Sequence, residues 1–167
     1  MIKYLNIKNN FKNMVDYPRE QLWEIYENLP EDLRHAIFAE ENSDKIYDIC
    51  VRNGVNEDNK ISEIAKYTGY VMLGVLPPDE LEKTIKEELN LEEKIAKQIA
   101  WEISRFVFFP IKNSLELLYK IEITPKGKPG GEGENKESVE IKHLTDEEFK
   151  EKMEKEQKGD IYREPIE

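Results

Sequence analysis

From Pro18 to Tyr119 the large apolar side chains return every three or four positions, and beyond Tyr119 they stop doing so. That period is the signature of amphipathic helices. Leu22, Trp23, Ile25, Tyr26 and Leu29 predict a first short helix, opened by Pro18, because proline suits the first turn. Pro30 opens a second, with Leu33, Ala36 and Ile37 on one face. Ser43 is the expected N-cap of a third, which runs through Ile46, Ile49 and Cys50 and stops at Asn53-Gly54. A polar loop from Asn56 to Lys60 follows. Ile61, Ile64, Ala65, Thr68, Val71, Met72, Val75 and Leu76 then predict a long helix. Gly69 and Gly74 each weaken it by about 1 kcal/mol relative to alanine, which points to close approach of a neighbour or to a bend. Pro77-Pro78 ends it and begins the next, through Leu81, Ile85 and Leu89. Ile95, Ile99, Ile103 and Val107, at successive i+4 positions, make the strongest stripe, and Pro110 breaks or kinks it. Ile111, Leu115, Leu117 and Leu118 close the series.

After that the period changes to two. Tyr119, Ile121 and Ile123 alternate with polar residues, as do Val139, Ile141 and His143, and Ile2, Tyr4 and Asn6. Runs this short are expected to be extended coil rather than a small sheet. The stretch from Pro125 to Gly133 has the composition of a linker. Thr145 and Glu148 form a capping-box pattern that should start a charged helix reaching about Lys158, with Phe149 and Met153 as its main apolar anchors.

Part of the helical region is written twice. Leu29-Pro30-Glu31-Asp32-Leu33 with Ile37, Glu40-Glu41, Asn42 and Lys45-Ile46 corresponds to Leu76-Pro77-Pro78-Asp79-Glu80-Leu81 with Ile85, Glu87-Glu88, Asn90 and Lys94-Ile95. Repeats of this size typify helical units that bury their apolar faces on one another. The expected fold is therefore all-α: a compact bundle of about six helices in two related halves, with a flexible C-terminal arm carrying one charged helix. The segments are an N-terminal extension (1–17), the helical domain (18–119), a linker or short extended pieces (120–144), the charged helix (145–158) and a terminal peptide (159–167).

Charge narrows the partners. The net charge is −11 overall, with 12 basic and 21 acidic residues between 18 and 119. Such a domain repels phosphate backbones, which argues against nucleic acid and leaves proteins as the expected partners. A regulator with helix-turn-helix-like helices is the alternative, but none of its helices is basic. The longest apolar run, Val71 to Leu76, falls far short of a membrane span, and Met1 to Val15 lacks a signal-peptide apolar stretch. Cys50 is the single cysteine, so no internal disulfide forms. A cytoplasmic protein is expected.

No catalytic constellation emerges. Neighbouring carboxylates such as Glu87-Glu88 point about 100° apart on a helix and share no proton. His35 and His143 lack companions at ligand spacing, and the 56–65 region fails as a calcium loop, so no metal or cofactor is expected. A small enzyme of unrecognised type is the remaining alternative. The expected role is that of a non-enzymatic interaction module. Its candidate contacts are Trp101, Phe108 and Phe109 in the aromatic stretch, and Tyr162, Arg163, Pro165 and Ile166 in the terminal peptide. The Leu-Pro-opened helices and the Tyr162-Arg163-Glu164-Pro165-Ile166-Glu167 end resemble those of uncharacterised small bacterial proteins. The resemblance carries no named family and implies no activity.

Overall fold

A computed structural model describes residues 17–125 and 139–159. The protein is mostly helical. Seven α-helices follow one another from Arg19 to Tyr119: α1 (Arg19–Glu27), α2 (Glu31–Phe38), α3 (Glu40–Arg52), α4 (Asp58–Met72), α5 (Leu81–Glu88), α6 (Glu93–Ile103) and α7 (Lys112–Tyr119). Strands β1 (Ile121–Pro125) and β2 (Val139–His143) and helix α8 (Asp146–Gly159) complete the described chain. α4 packs against α2, α3 and α5, while α6 lies on α3 and α5. The core is continuous, and Leu33, Ile49, Ile64, Val71, Leu81, Ile85, Ile99 and Ile103 are all almost completely enclosed.

Local chemistry sets where the helices stop. α3 ends with Gly54 at φ +84°, Gly54 N–H donating to Val51 O (3.0 Å) and Val55 N–H to Cys50 O (2.9 Å). α4 ends the same way, with Gly74 at φ +82°. There Gly74 N–H donates to Val71 O (3.1 Å) and Val75 N–H to Tyr70 O (3.0 Å). In both, the left-handed residue brings donors to two carbonyls at the helix end, and the next apolar residue, Val55 or Val75, drops into the core. Gly74 is thus a stop and not a bend within a longer helix: α4 ends at Met72, and Val75 and Leu76 are buried as loop residues. Gly69 has nothing within 4 Å of where a Cβ would sit, so no close helix approach explains it.

Two further boundaries differ from the pattern. α3 begins at Glu40, with Ala39 (ψ 119°) as the break and Ser43 inside the helix. The α2–α3 junction is stitched by Asn42 Nδ2 donating to Ala36 O (2.9 Å), which satisfies a carbonyl at the end of α2. Beyond α6 the chain runs through a π turn (Ser104–Phe108) and a 3-10 turn (Phe109–Ile111) into α7. Pro110 cannot donate a helical hydrogen bond, and the looser and tighter turns absorb its place.

The period-two runs do pair. β1 and β2 are antiparallel, with Ile121 opposite His143 and Ile123 opposite Ile141. Each run is too short to hold an extended form alone, but together they bury Ile121 and Ile123 on the core. Ile2–Asn6 lies outside the described residues. The charged helix does not stand away from the body. Leu144 N–H donates to Lys120 O (3.0 Å), and Phe149, Lys152 and Met153 face Asn113, Glu116 and Leu117 of α7. In the repeated segments Leu33 and Leu81 are both wholly buried, but Leu33 lies inside α2, whereas a 3-10 turn (Pro78–Glu80) precedes Leu81 at the start of α5. They part further on: Asn42 lies within α3, whereas Asn90 is the left-handed residue (φ 50°) after α5.

Candidate functional site

Among the described residues two places hold buried carboxylates, and in both the chain uses them up. Glu102 on α6 is 6% exposed. It accepts from Asn53 Nδ2 (3.0 Å), from Gln98 Nε2 (2.8 Å) and from the Arg52 guanidinium. Burial raises its pKa, but the Asn53, Gln98 and Arg52 donors outweigh burial and hold it below the usual carboxylate value. Glu116 on α7 accepts from Ile123 N–H (2.8 Å) and Lys152 Nζ (3.0 Å), joining α7 to β1 and α8. Both carboxylates tie elements together, and Glu116 also lines the small cleft between α7 and α8. Burial pushes the enclosed Cys50 thiol up to about 11, so it stays protonated and unreactive at neutral pH. The cleft between α7 and α8 has a volume of about 70 Å³, well below the ~300–1,000 Å³ of small-molecule sites. Among the described residues no three His, Cys, Asp or Glu side chains gather as metal ligands would. Among the same residues no helix is long and apolar enough to cross a membrane.

The exposed chemistry is aromatic. On α1, Leu22, Ile25 and Tyr26 turn partly into the core, whereas Trp23, one residue past Leu22, is turned out and 54% exposed. Trp23 and Tyr26 are three positions apart, so their rings meet along the helix, with centroids 5.2 Å apart. Phe38, the last residue of α2, is 69% exposed and meets Tyr26 edge-on at 5.2 Å. The three rings form one surface cluster from two helices. Trp23 Nε1 donates to Glu27 Oε1 (2.9 Å), so the one polar atom of the indole is satisfied and its apolar body remains outward.

The residues singled out in the sequence divide. Trp101 is half-buried, with the Arg105 guanidinium 5.8 Å from its ring centre. Phe109 is 38% exposed, with Lys112 Nζ 5.2 Å from its ring centre. Phe108 is 1% exposed and belongs to the core, so it offers nothing to a partner. The reason is the π turn: one extra residue per turn moves the inward positions to Val107 and Phe108 and turns Phe106 outward. Tyr162, Arg163, Pro165 and Ile166 lie outside the described residues. Trp23 and Phe38 were not distinguished by pattern, because Trp23 sits inside an apolar run that reads as core. The available signal was the crowding of Leu22, Trp23, Ile25 and Tyr26, more apolar width than a nine-residue helix can bury.

Comparison with protein-family models, with curated proteins and with solved structures finds no match.

Proposed function

We propose that the protein is a non-enzymatic interaction module that binds another protein through its helical body. The observation that carries this is the exposed cluster of Trp23, Tyr26 and Phe38. Large aromatic side chains are costly to leave in water, and contiguous ones mark contact surfaces more often than scattered ones do. In the same proposal the C-terminal peptide with Tyr162, Arg163, Pro165 and Ile166 is a second contact, which makes the chain an adaptor. The two proline-opened helix pairs are related units that together supply the rigid support. The reducing cytoplasm suits the single free thiol. A nucleic-acid role is disfavoured by 12 basic against 21 acidic residues in 18–119.

The test is affinity capture with the full chain and with a Trp23→Ser/Phe38→Ser double variant. Both residues are largely exposed, so the double variant should melt within a few degrees of the wild type. Proteins retained by the wild type and lost by the variant support the role. An unchanged set of retained proteins removes this surface from consideration.

A further inference from the structure

On the strength of that proposed role, we infer that the Trp23–Tyr26–Phe38 surface takes a lysine- or arginine-rich protein segment whose apolar side chains line one side, such as a basic amphipathic helix. The cluster sits on an acidic stretch of chain. Residues 19–41 contain seven acidic and two basic side chains. Glu20, Glu24 and Glu27 lie on α1 beside the Trp23 and Tyr26 rings, Glu31 opens α2, and Glu40 and Glu41 follow directly on Phe38. All six are exposed. Apolar rings ringed by carboxylates match a segment that carries the converse, apolar anchors flanked by cations.

A contrast within the molecule sharpens this. At two other rings that reach the surface the chain supplies its own cation: Arg105 over Trp101 at 5.8 Å and Lys112 over Phe109 at 5.2 Å. Among the described residues none of Trp23, Tyr26 and Phe38 has such a partner; the polar contact at Trp23 is the Glu27 carboxylate. Ring faces attract cations, and a cation placed here gains the neighbouring carboxylates as well. Lys45, the next lysine along the chain, is committed to Glu41 at 2.6 Å. Among the described residues no cation lies over these three rings, which leaves that place to a partner's cation.

The experiment is calorimetric titration of the full chain with three synthetic peptides. One repeats Leu-Lys-Lys-Leu over sixteen residues, the second has glutamine for lysine, and the third has glutamate for lysine. The lysine peptide should bind, at least tenfold more weakly at 500 mM than at 50 mM salt. The Trp23→Ser/Phe38→Ser variant should weaken it at least tenfold, and Phe109→Ser should leave it within twofold. The glutamate peptide should not bind. If Phe109→Ser weakens the lysine peptide as much as the double variant does, attraction is diffuse and the inference fails. If the glutamine peptide binds as tightly as the lysine peptide, cations are irrelevant. That outcome overturns the inference while leaving an interaction role intact. The inference also fails, again with that role intact, if no peptide binds although affinity capture depends on Trp23 and Phe38. A lysine peptide that binds only after Lys3, Lys8 and Lys12 are changed to glutamate would assign the surface to the chain's own first residues and overturn a foreign partner.

Discussion

Glu102 shows how one charged side chain can be kept in a core of this size. Its carboxylate is covered, yet three donors from two helices occupy it: Arg52 and Asn53 from the end of α3, and Gln98 one turn earlier on α6. Glu102→Gln should destabilise the fold at pH 7 by about 1–3 kcal/mol, because the new amide presents donors to donors. The folded-state pKa lies below that of the unfolded chain, so this carboxylate contributes stability above the unfolded value. The contribution is lost as pH falls through the folded value. The gap in melting temperature between wild type and variant should therefore narrow from pH 7 to pH 3; a constant gap would show that the shift is absent. Tyr119 plays a comparable part without charge. Its hydroxyl points between Val71 O and Leu76 O, 2.7 Å from each, and so closes the loop that leaves α4. Burial pushes this phenol well above its usual pKa, and it remains a donor throughout the accessible range. Tyr119→Phe takes the hydroxyl donor from Leu76 O, while Val71 O keeps Gly74 N–H, and should cost about 1–2 kcal/mol, measured by thermal or urea unfolding.

At the scale of elements, the start of α8 is the clearest case of local chemistry. Thr145 N–H donates to Glu148 Oε2 (2.9 Å), and Glu148 N–H donates back to Thr145 Oγ1 (3.3 Å). The Thr145 backbone N–H, then Lys142, then the Thr145 hydroxyl bring the Glu148 pKa down to about 2. The lowered value means that the cap is intact above the ordinary glutamate pKa and is lost as pH falls towards 2. Carbon chemical shifts of Asp146 to Lys150 should therefore report a folded first turn at pH 5 that frays near pH 2. Glu148→Ala should fray it at both. Helical shifts that persist at pH 2 would show that packing of Phe149 and Met153, and not the cap, holds this end.

For the molecule as a whole, the question is how firmly β1, β2 and α8 are joined to the helices. Besides Ile123 N–H donating to Glu116, side-chain contacts among the described residues do it: Lys152 to Glu116 at 3.0 Å, His143 to Asp79 at 2.8 Å and Lys120 to Asp146 at 2.7 Å. Of these side-chain contacts only the first is sheltered, with Glu116 8% and Lys152 23% exposed. Exposed pairs contribute little, so Lys152 should carry most of the polar attachment. In Lys152→Met, amide exchange across α8 should quicken at least tenfold while α4 and α6 keep wild-type protection. Equal quickening in all three would mean that α8 is part of one cooperative unit with the core.

What the chain dictates locally could be read from it directly. Helix type follows from the period of apolar residues, and Gly54 ends α3 because a left-handed backbone costs glycine nothing. Thr145 and Glu148 announce α8 from within four residues. These features need no knowledge of what lies opposite. The pairing of β1 with β2 needs a partner brought back across the chain, and neither run alone carries enough signal to require it. The π turn shifts the inward face by one residue, so Phe108 enters the core and Phe106 leaves it, against the regular helical period. The exposed cluster was decided last. Trp23 and Tyr26 belong to α1 and Phe38 to α2, and only the packing of those helices left Trp23 and Phe38 exposed against the half-buried Tyr26 ring. Apolar character is a property of a residue, but exposure is a property of what its neighbours have already covered.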